Sequence, residues 1–407
     1  RLYTQANTAG RVALPEHVLD QAPANLAEGA SISAIALAIE QGDKAGRLPF
    51  DKALEAASAS LPLELPRAVG KTVLLVLRRL AQLPLHDGEG RSSFAPNTPK
   101  EAPLPAWLTG RRTLGGFYVL HPLGAGGVGS VFVVHRLEER NKENAVRFAL
   151  KVPDYSAEAA RTLSEEEFLS LFRQEAGALL ALPRHRNLAT FVTFDAGARP
   201  KPILVMELVE GPTLERVLER GDMDIPRALA LLDGIGAGLE AMHRVGIGHL
   251  DIKPSNVILR SAQTQDGEAT PVVVDFGLAG RHLRPGCATG PYGAPEIWGL
   301  IPNGREPKPA AADVYAFACM AYEVLTQTAL FEGPTELAVI NAHLSHDGYP
   351  ERLGWLRQRR GLLELCELLS NALRRDPGER VNVAELREGL RELGPALSKF
   401  SWPLRAA

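Results

Sequence analysis

Four glycines within six residues, Gly124-Ala125-Gly126-Gly127-Val128-Gly129, stand between two runs of β-type residues, Phe117 to Leu120 and Val131 to His135. A dinucleotide-binding fingerprint needs a helix to open at the third glycine, whereas Ser130-Val131-Phe132-Val133-Val134 continues in strand-forming residues. The segment therefore reads as a hairpin. Glycine lets such a hairpin bring its backbone close to phosphate, with amide hydrogens facing the anion and no Cβ in the way. Taken alone, an ordinary Gly-rich turn would look the same.

The surrounding pattern narrows the fold. A third strand-like run covers Arg147 to Val152, a helical stretch follows, and a fourth run covers Ile203 to Leu208; from about Pro226 onward helices dominate. A strand-rich small lobe followed by a helix-rich large lobe is an α+β arrangement with a cleft between the two. At 407 residues the chain has room for a second unit. Residues 88–110, with Pro96, Pro99, Pro103 and Pro105 among Ser, Thr and Gly, read as a linker. Upstream, residues 1–87 are expected to be all-helical: Ser31 and Asp51 can cap helices, and Val69, Val73, Val76, Leu80 and Leu83 recur at three- and four-residue steps. That stripe is a packing face, with no catalytic constellation on it. The chain opens on Arg1 rather than methionine, so the expectation is a piece of a larger protein with further domains.

Composition excludes several classes. A net charge of -3 provides no basic footprint for nucleic acid. Cys287, Cys319 and Cys366 are scattered and lack ligand spacing, which suggests neither a disulfide framework nor zinc and points to a reducing cytoplasm. The longest apolar stretches, Ile32 to Ile39 and Val73 to Leu77, fall short of the roughly 18 residues a membrane span requires.

Phe148-Ala149-Leu150-Lys151 places a cation at the end of an apolar strand, where it could reach phosphate oxygens. A surface lysine would read the same way. To hold it in place a fold needs an opposing carboxylate, and the next helix offers Glu175. Glu165, Glu166 and Glu167 are alternatives, but they crowd a first turn marked by the capping box Ser164 to Glu167 and suit a dipole-compensating role.

His249-Leu250-Asp251-Ile252-Lys253-Pro254-Ser255-Asn256 is followed nineteen positions later by Asp275-Phe276-Gly277, and then by Ala294-Pro295-Glu296. Six motifs in this order over residues 117–393 resemble the protein kinase superfamily, with its H-R-D-x-x-x-x-N, D-F-G and A-P-E signatures. The wording Lys-Pro-Ser-Asn is most similar to the eukaryotic-type (Hanks-type) Ser/Thr kinases of bacteria. The resemblance implies a bilobal fold over residues 111–400, with a β-rich lobe at about 115–208 and a helical lobe at about 209–400. It also implies ATP and Mg2+, with Mn2+ as a possible substitute, and a protein substrate.

By the same resemblance, Asp251 accepts the substrate hydroxyl proton, Asn256 and Asp275 hold the metal, and Lys151 paired with Glu175 orients the phosphates beneath the glycine loop. Lys253 and Thr289 match the Ser/Thr-specific version of the loop. Val131 and Ala149 would lie above the adenine and Ile258 below it. Met206 would be the gatekeeper before the hinge Glu207-Leu208-Val209. Leu179, His249 and Phe276 would stack as an internal spine; Asp313 would anchor the catalytic loop, and Arg380 would pair with Glu296.

Leu250 departs from the pattern by replacing the arginine of H-R-D. A phosphate on the activation loop normally pairs with that arginine, and residues 278–288 contain no Ser, Thr or Tyr to carry one. Independence from loop phosphorylation is the expectation. A pseudokinase or ATP-binding scaffold is the alternative reading, and a small-molecule kinase a third, disfavoured by the intact Thr289 to Glu296 stretch.

Overall fold

A computed structural model describes residues 104–105, 107–108, 110, 112–126, 129–153, 165–261, 269–283, 288–299 and 308–406. The expected N-terminal helices, most of the linker, Gly127, Val128, Ser164 and Cys287 lie outside these residues.

The smaller lobe is a six-stranded sheet of order β1-β2-β3-β4-β6-β5. Its strands are β1 (Thr113–Leu114), β2 (Phe117–Gly126), β3 (Gly129–Arg136), β4 (Arg147–Pro153), β5 (Phe191–Asp195) and β6 (Ile203–Glu207), and every neighbouring pair is antiparallel. β2 and β3 form the hairpin expected over the glycine run, with Gly126 opposite Gly129. At Gly129 φ is +157°, and a Cβ would run into the Val152 carbonyl on β4. Only glycine fits there.

Side chains alternate across the pleat. Val131, Val133 and Ala149 join the main core beside the cleft, whereas Phe132, Val134, Leu150 and Val152 form a second core on the outer face. Leu108 is buried against that outer face, and Trp107 meets Phe132 edge-on with ring centroids 6.0 Å apart. Lys151 pairs with Val131 and follows Ala149 by two residues, so the period of two places it on the cleft face. α1 (Glu165–Leu180) packs Phe172, Ala176 and Leu179 into the same core, a helical spacing along one face.

The larger lobe holds α2 (Leu214–Arg220), α3 (Ile225–Arg244), α4 (Pro309–Thr326), α5 (Glu336–Leu344), α6 (Gly354–Gln358), α7 (Leu363–Ala372) and α8 (Val383–Leu397). A two-stranded hairpin, β7 (Val257–Arg260) with β8 (Thr270–Val273), lies beside α3. α4 is apolar nearly all round and buried from Ala312 to Tyr322, as expected of a central helix. Asp224 caps α3 by accepting from the Arg227 amide, and Pro226 occupies its first turn. The sequence pattern did not point to β5, β7 or β8, which are runs of five residues or fewer. Among the described residues no helix is long and apolar enough to cross a membrane.

Candidate active site

The chain between α3 and β7 is held from below by α4. Asp313 accepts the amide hydrogens of His249 and Leu250, each at 2.7 Å, and His243 Nε2 lies 2.8 Å from the same carboxylate. Leu250 sits at φ +65°, a left-handed conformation unfavourable for leucine, and the Asp313 contact offsets that strain. His249 donates from Nε2 to the Val274 carbonyl (3.0 Å), while its Nδ1 accepts from the Asp251 amide (3.3 Å).

These bonds present Asp251 to three side chains. The Thr289 hydroxyl donates to Asp251 Oδ1 at 2.7 Å and accepts from Lys253 Nζ at 2.6 Å. Lys253 Nζ also lies 2.9 Å from Asp251 Oδ2, and Asn256 Nδ2 donates to that oxygen at 3.0 Å. The carboxylate is thereby fixed in orientation beside a cation, an arrangement suited to accepting a hydroxyl proton and steadying the transferred charge.

Across the cleft, Lys151 Nζ lies 2.7 Å from Glu175 Oε1, and both side chains are buried. Glu165 and Glu166 are exposed at the helix start, so Glu175 alone of these three reaches the lysine. A Cβ at Gly277 would sit 3.1 Å from Lys151 Nζ and 3.4 Å from Asp275 Oδ1, so cation and carboxylate converge on the one residue without a side chain. The Val274 amide donates to the Asn256 carbonyl (2.9 Å), which sets Asp275 beside Asn256. Asn256 Oδ1 is buried without a hydrogen-bond partner among the described residues. Leaving such an acceptor unsatisfied is costly, and a cation there would satisfy it. Mg2+ takes only one or two protein oxygens and fills its shell from phosphate and water. Among the described residues no group of three or more His, Cys, Asp or Glu has metal-binding geometry.

A cleft between the lobes is lined by Leu123, Ala149, Ala189, Met206, Glu207, Leu208, Val209, Ile258 and Val274. Val131 is buried on the same face of the sheet. The Glu207 carboxylate is engaged by Arg260 (2.7 Å) and the Thr190 amide (3.2 Å). Sequence reasoning missed Leu123, Ala189 and Val274. Leu123 and Val274 directly precede Gly124 and Asp275, a signal that could have been used; Ala189 carries none.

The residues expected to support the site also lie close to one another. The His249 and Phe276 rings lie 5.3 Å apart and share the main core with Leu179. Arg380 grips Glu296 through both nitrogens, at 2.6 and 2.8 Å. Leu250 is 4% exposed and lines a small apolar cavity with Ile252, Ile297, Ala312 and Ala316.

Residues 117–389 match the sequence model of the protein kinase domain. The chain belongs to the protein kinase family. Among its curated relatives, the Ser/Thr-protein kinase pkn2 of Myxococcus xanthus is 32% identical over 297 residues, covering 70% of this chain and 33% of that protein. PkaA of Streptomyces coelicolor is 30% identical over 297 residues, covering 69% and 50%. PkaB of the same organism is 31% identical over 303 residues, covering 70% and 65%. The chain thus spans a third to a half of the length of the first two of these kinases.

Proposed function

We propose that this kinase domain transfers the γ-phosphoryl group of ATP to Ser or Thr hydroxyls of proteins, without depending on phosphorylation of its activation loop. The carrying observation is that Asp251, Lys253 and Thr289 form one hydrogen-bonded triangle while the Lys151–Glu175 pair is closed, in a chain with Leu250 where a phosphate-binding arginine would stand. Asp251 accepts the hydroxyl proton, Lys253 stabilises charge on the group in flight, and Lys151 orients the phosphates under the Gly124–Gly129 hairpin. Asn256 Oδ1 and Asp275 would hold Mg2+, whose role when bound is to neutralise the phosphate oxygens. Ala149, Met206, Val209 and Ile258 provide apolar walls for adenine. Three scattered cysteines support a reducing, cytoplasmic setting, and the relatives' greater length supports further domains in the parent protein.

Labelled ATP with a generic protein substrate tests this reading: wild type transfers label, whereas Asp251→Asn and Asp275→Ala do not. Equal signal in all three defeats it and favours a scaffold. Independence from loop phosphate is checked by mass spectrometry of active enzyme; stoichiometric phosphate within residues 278–292, with activity lost on its removal, would overturn that part.

A further inference from the structure

The segment that carries Thr289 is gripped from behind by a buried chain of hydrogen bonds. The Gly348 amide donates to His346 Nδ1 (3.1 Å), His346 Nε2 lies 3.0 Å from the Tyr315 hydroxyl, that hydroxyl lies 2.9 Å from His343 Nδ1, and His343 Nε2 lies 2.9 Å from the Gly290 carbonyl. The two ends are backbone groups, an N–H and a C=O, which make His346 Nδ1 an acceptor and His343 Nε2 a donor; the Tyr315 proton then finds its acceptor within the chain only at His343 Nδ1. His346 accepts at Nδ1 and therefore donates from Nε2 to the tyrosine oxygen; Tyr315 donates onward to His343 Nδ1; His343 donates from Nε2 to Gly290. In this arrangement both rings are neutral. Burial supports this by pushing His343 down to about 3 and His346 to about 4, with His346 and Arg375 respectively adding to the effect.

The chain is packed as a unit. The Phe331 ring centroid lies 3.8 Å from that of His343 and 5.4 Å from that of His346, and the Arg380 guanidinium, paired with Glu296, stands 5.0 Å from the centroid of Tyr315. Gly290 is covalently next to Thr289, whose hydroxyl holds Asp251 and Lys253. α4, which supplies Tyr315, also supplies Asp313 under the catalytic loop.

We infer that His343, Tyr315 and His346 are positioning residues that hold Gly290, and through it Thr289, in the geometry that orients Asp251, so that protein packing does the work a loop phosphate would do. The inference rests on the kinase reading, and its test has arms inside and outside activity. Tyr315→Phe keeps the ring and removes the hydroxyl; His343→Phe removes the donor to Gly290. Each is expected to lower kcat for transfer about tenfold or more while leaving the KM for ATP within about twofold, since no relay atom faces the cleft. In a Thr289→Ala background neither should lower kcat further, because residues acting through one another are non-additive. Losses that multiply in that background, or an unchanged kcat, would overturn the inference.

Outside activity, histidine 15N spectra of the wild type at pH 7 should show His343 and His346 as neutral Nε2–H tautomers. Tyr315→Phe should perturb both, and His343→Phe should speed amide exchange in residues 289–293. An Nδ1–H tautomer at either ring, or unchanged exchange, would also overturn it. Absence of transfer by wild type with the tautomers as assigned would sink the kinase reading and leave the relay standing as a structural clamp.

Discussion

Lys151 and Glu175 are 1% exposed each, and a buried ion pair contributes little net stability while leaving one partner alone is costly. Lys151→Met should therefore lower stability by about 3–5 kcal/mol, measured by urea denaturation. The double substitution Lys151→Met/Glu175→Met should recover most of that loss. Transfer activity should recover in neither, which separates the pair's part in the core from the part proposed for it in holding phosphate. A partly buried carboxylate, Glu323 on α4, accepts from the Tyr292 hydroxyl at 2.6 Å. Burial first, then Glu215 and Glu332, push it up from 4.5 to about 7, against the hydrogen bond from Tyr292. Between those values the folded chain keeps a proton that the unfolded chain has released, so this group makes stability fall as pH rises from about 4.5 to 7. Glu323→Gln should flatten that slope, with its advantage over wild type growing to a plateau above pH 7; an unchanged slope in pH-dependent denaturation would count against this assignment.

At the level of elements, the glycine hairpin shows how a local rule and a tertiary constraint meet. The turn residues follow from four glycines between strands, but the demand at Gly129 comes from β4, whose Val152 carbonyl occupies the space a Cβ would need. Gly129→Ala should introduce strain on the order of 1–3 kcal/mol and push the hairpin off β4. The expected result is a KM for ATP raised about tenfold with the helical lobe's amide-exchange protection intact. A KM equal to that of wild type would show the hairpin to be tolerant there. β5 and the β7–β8 hairpin escaped the sequence because short apolar runs look alike in strand and buried helix. Only their partners, β6 for the first and each other for the second, make them strands.

Across the whole molecule, Arg380 binds together parts of the chain far apart in sequence. All three of its guanidinium nitrogens are used: Nη1 on Glu296 and the Ala311 carbonyl, Nη2 on Glu296 and the Arg375 carbonyl, and Nε on the Arg374 carbonyl. A lysine cannot reproduce that planar fork. Arg380→Lys should cost about 3 kcal/mol, read as a lower urea midpoint at unchanged slope. A loss well under 1 kcal/mol would mean the fork is not needed.

The sequence by itself determined which residues are proposed to carry the chemistry, because phosphoryl transfer needs particular residue types at fixed spacing within a loop: Asp251, Lys253 and Asn256 within six residues, and Asp275 two residues before Gly277. It also determined the lobe order, through strand-like runs followed by helical ones. What only the tertiary structure decided is which of these groups touch. The choice of Glu175 over Glu165 and Glu166 depends on which face of α1 meets the sheet. The orphaned Asn256 Oδ1 depends on where its amide nitrogen is drawn. The relay from Gly348 to Gly290 joins three segments that no periodicity connects, since contacts between distant segments arise from packing around α4 and leave no local trace in the chain.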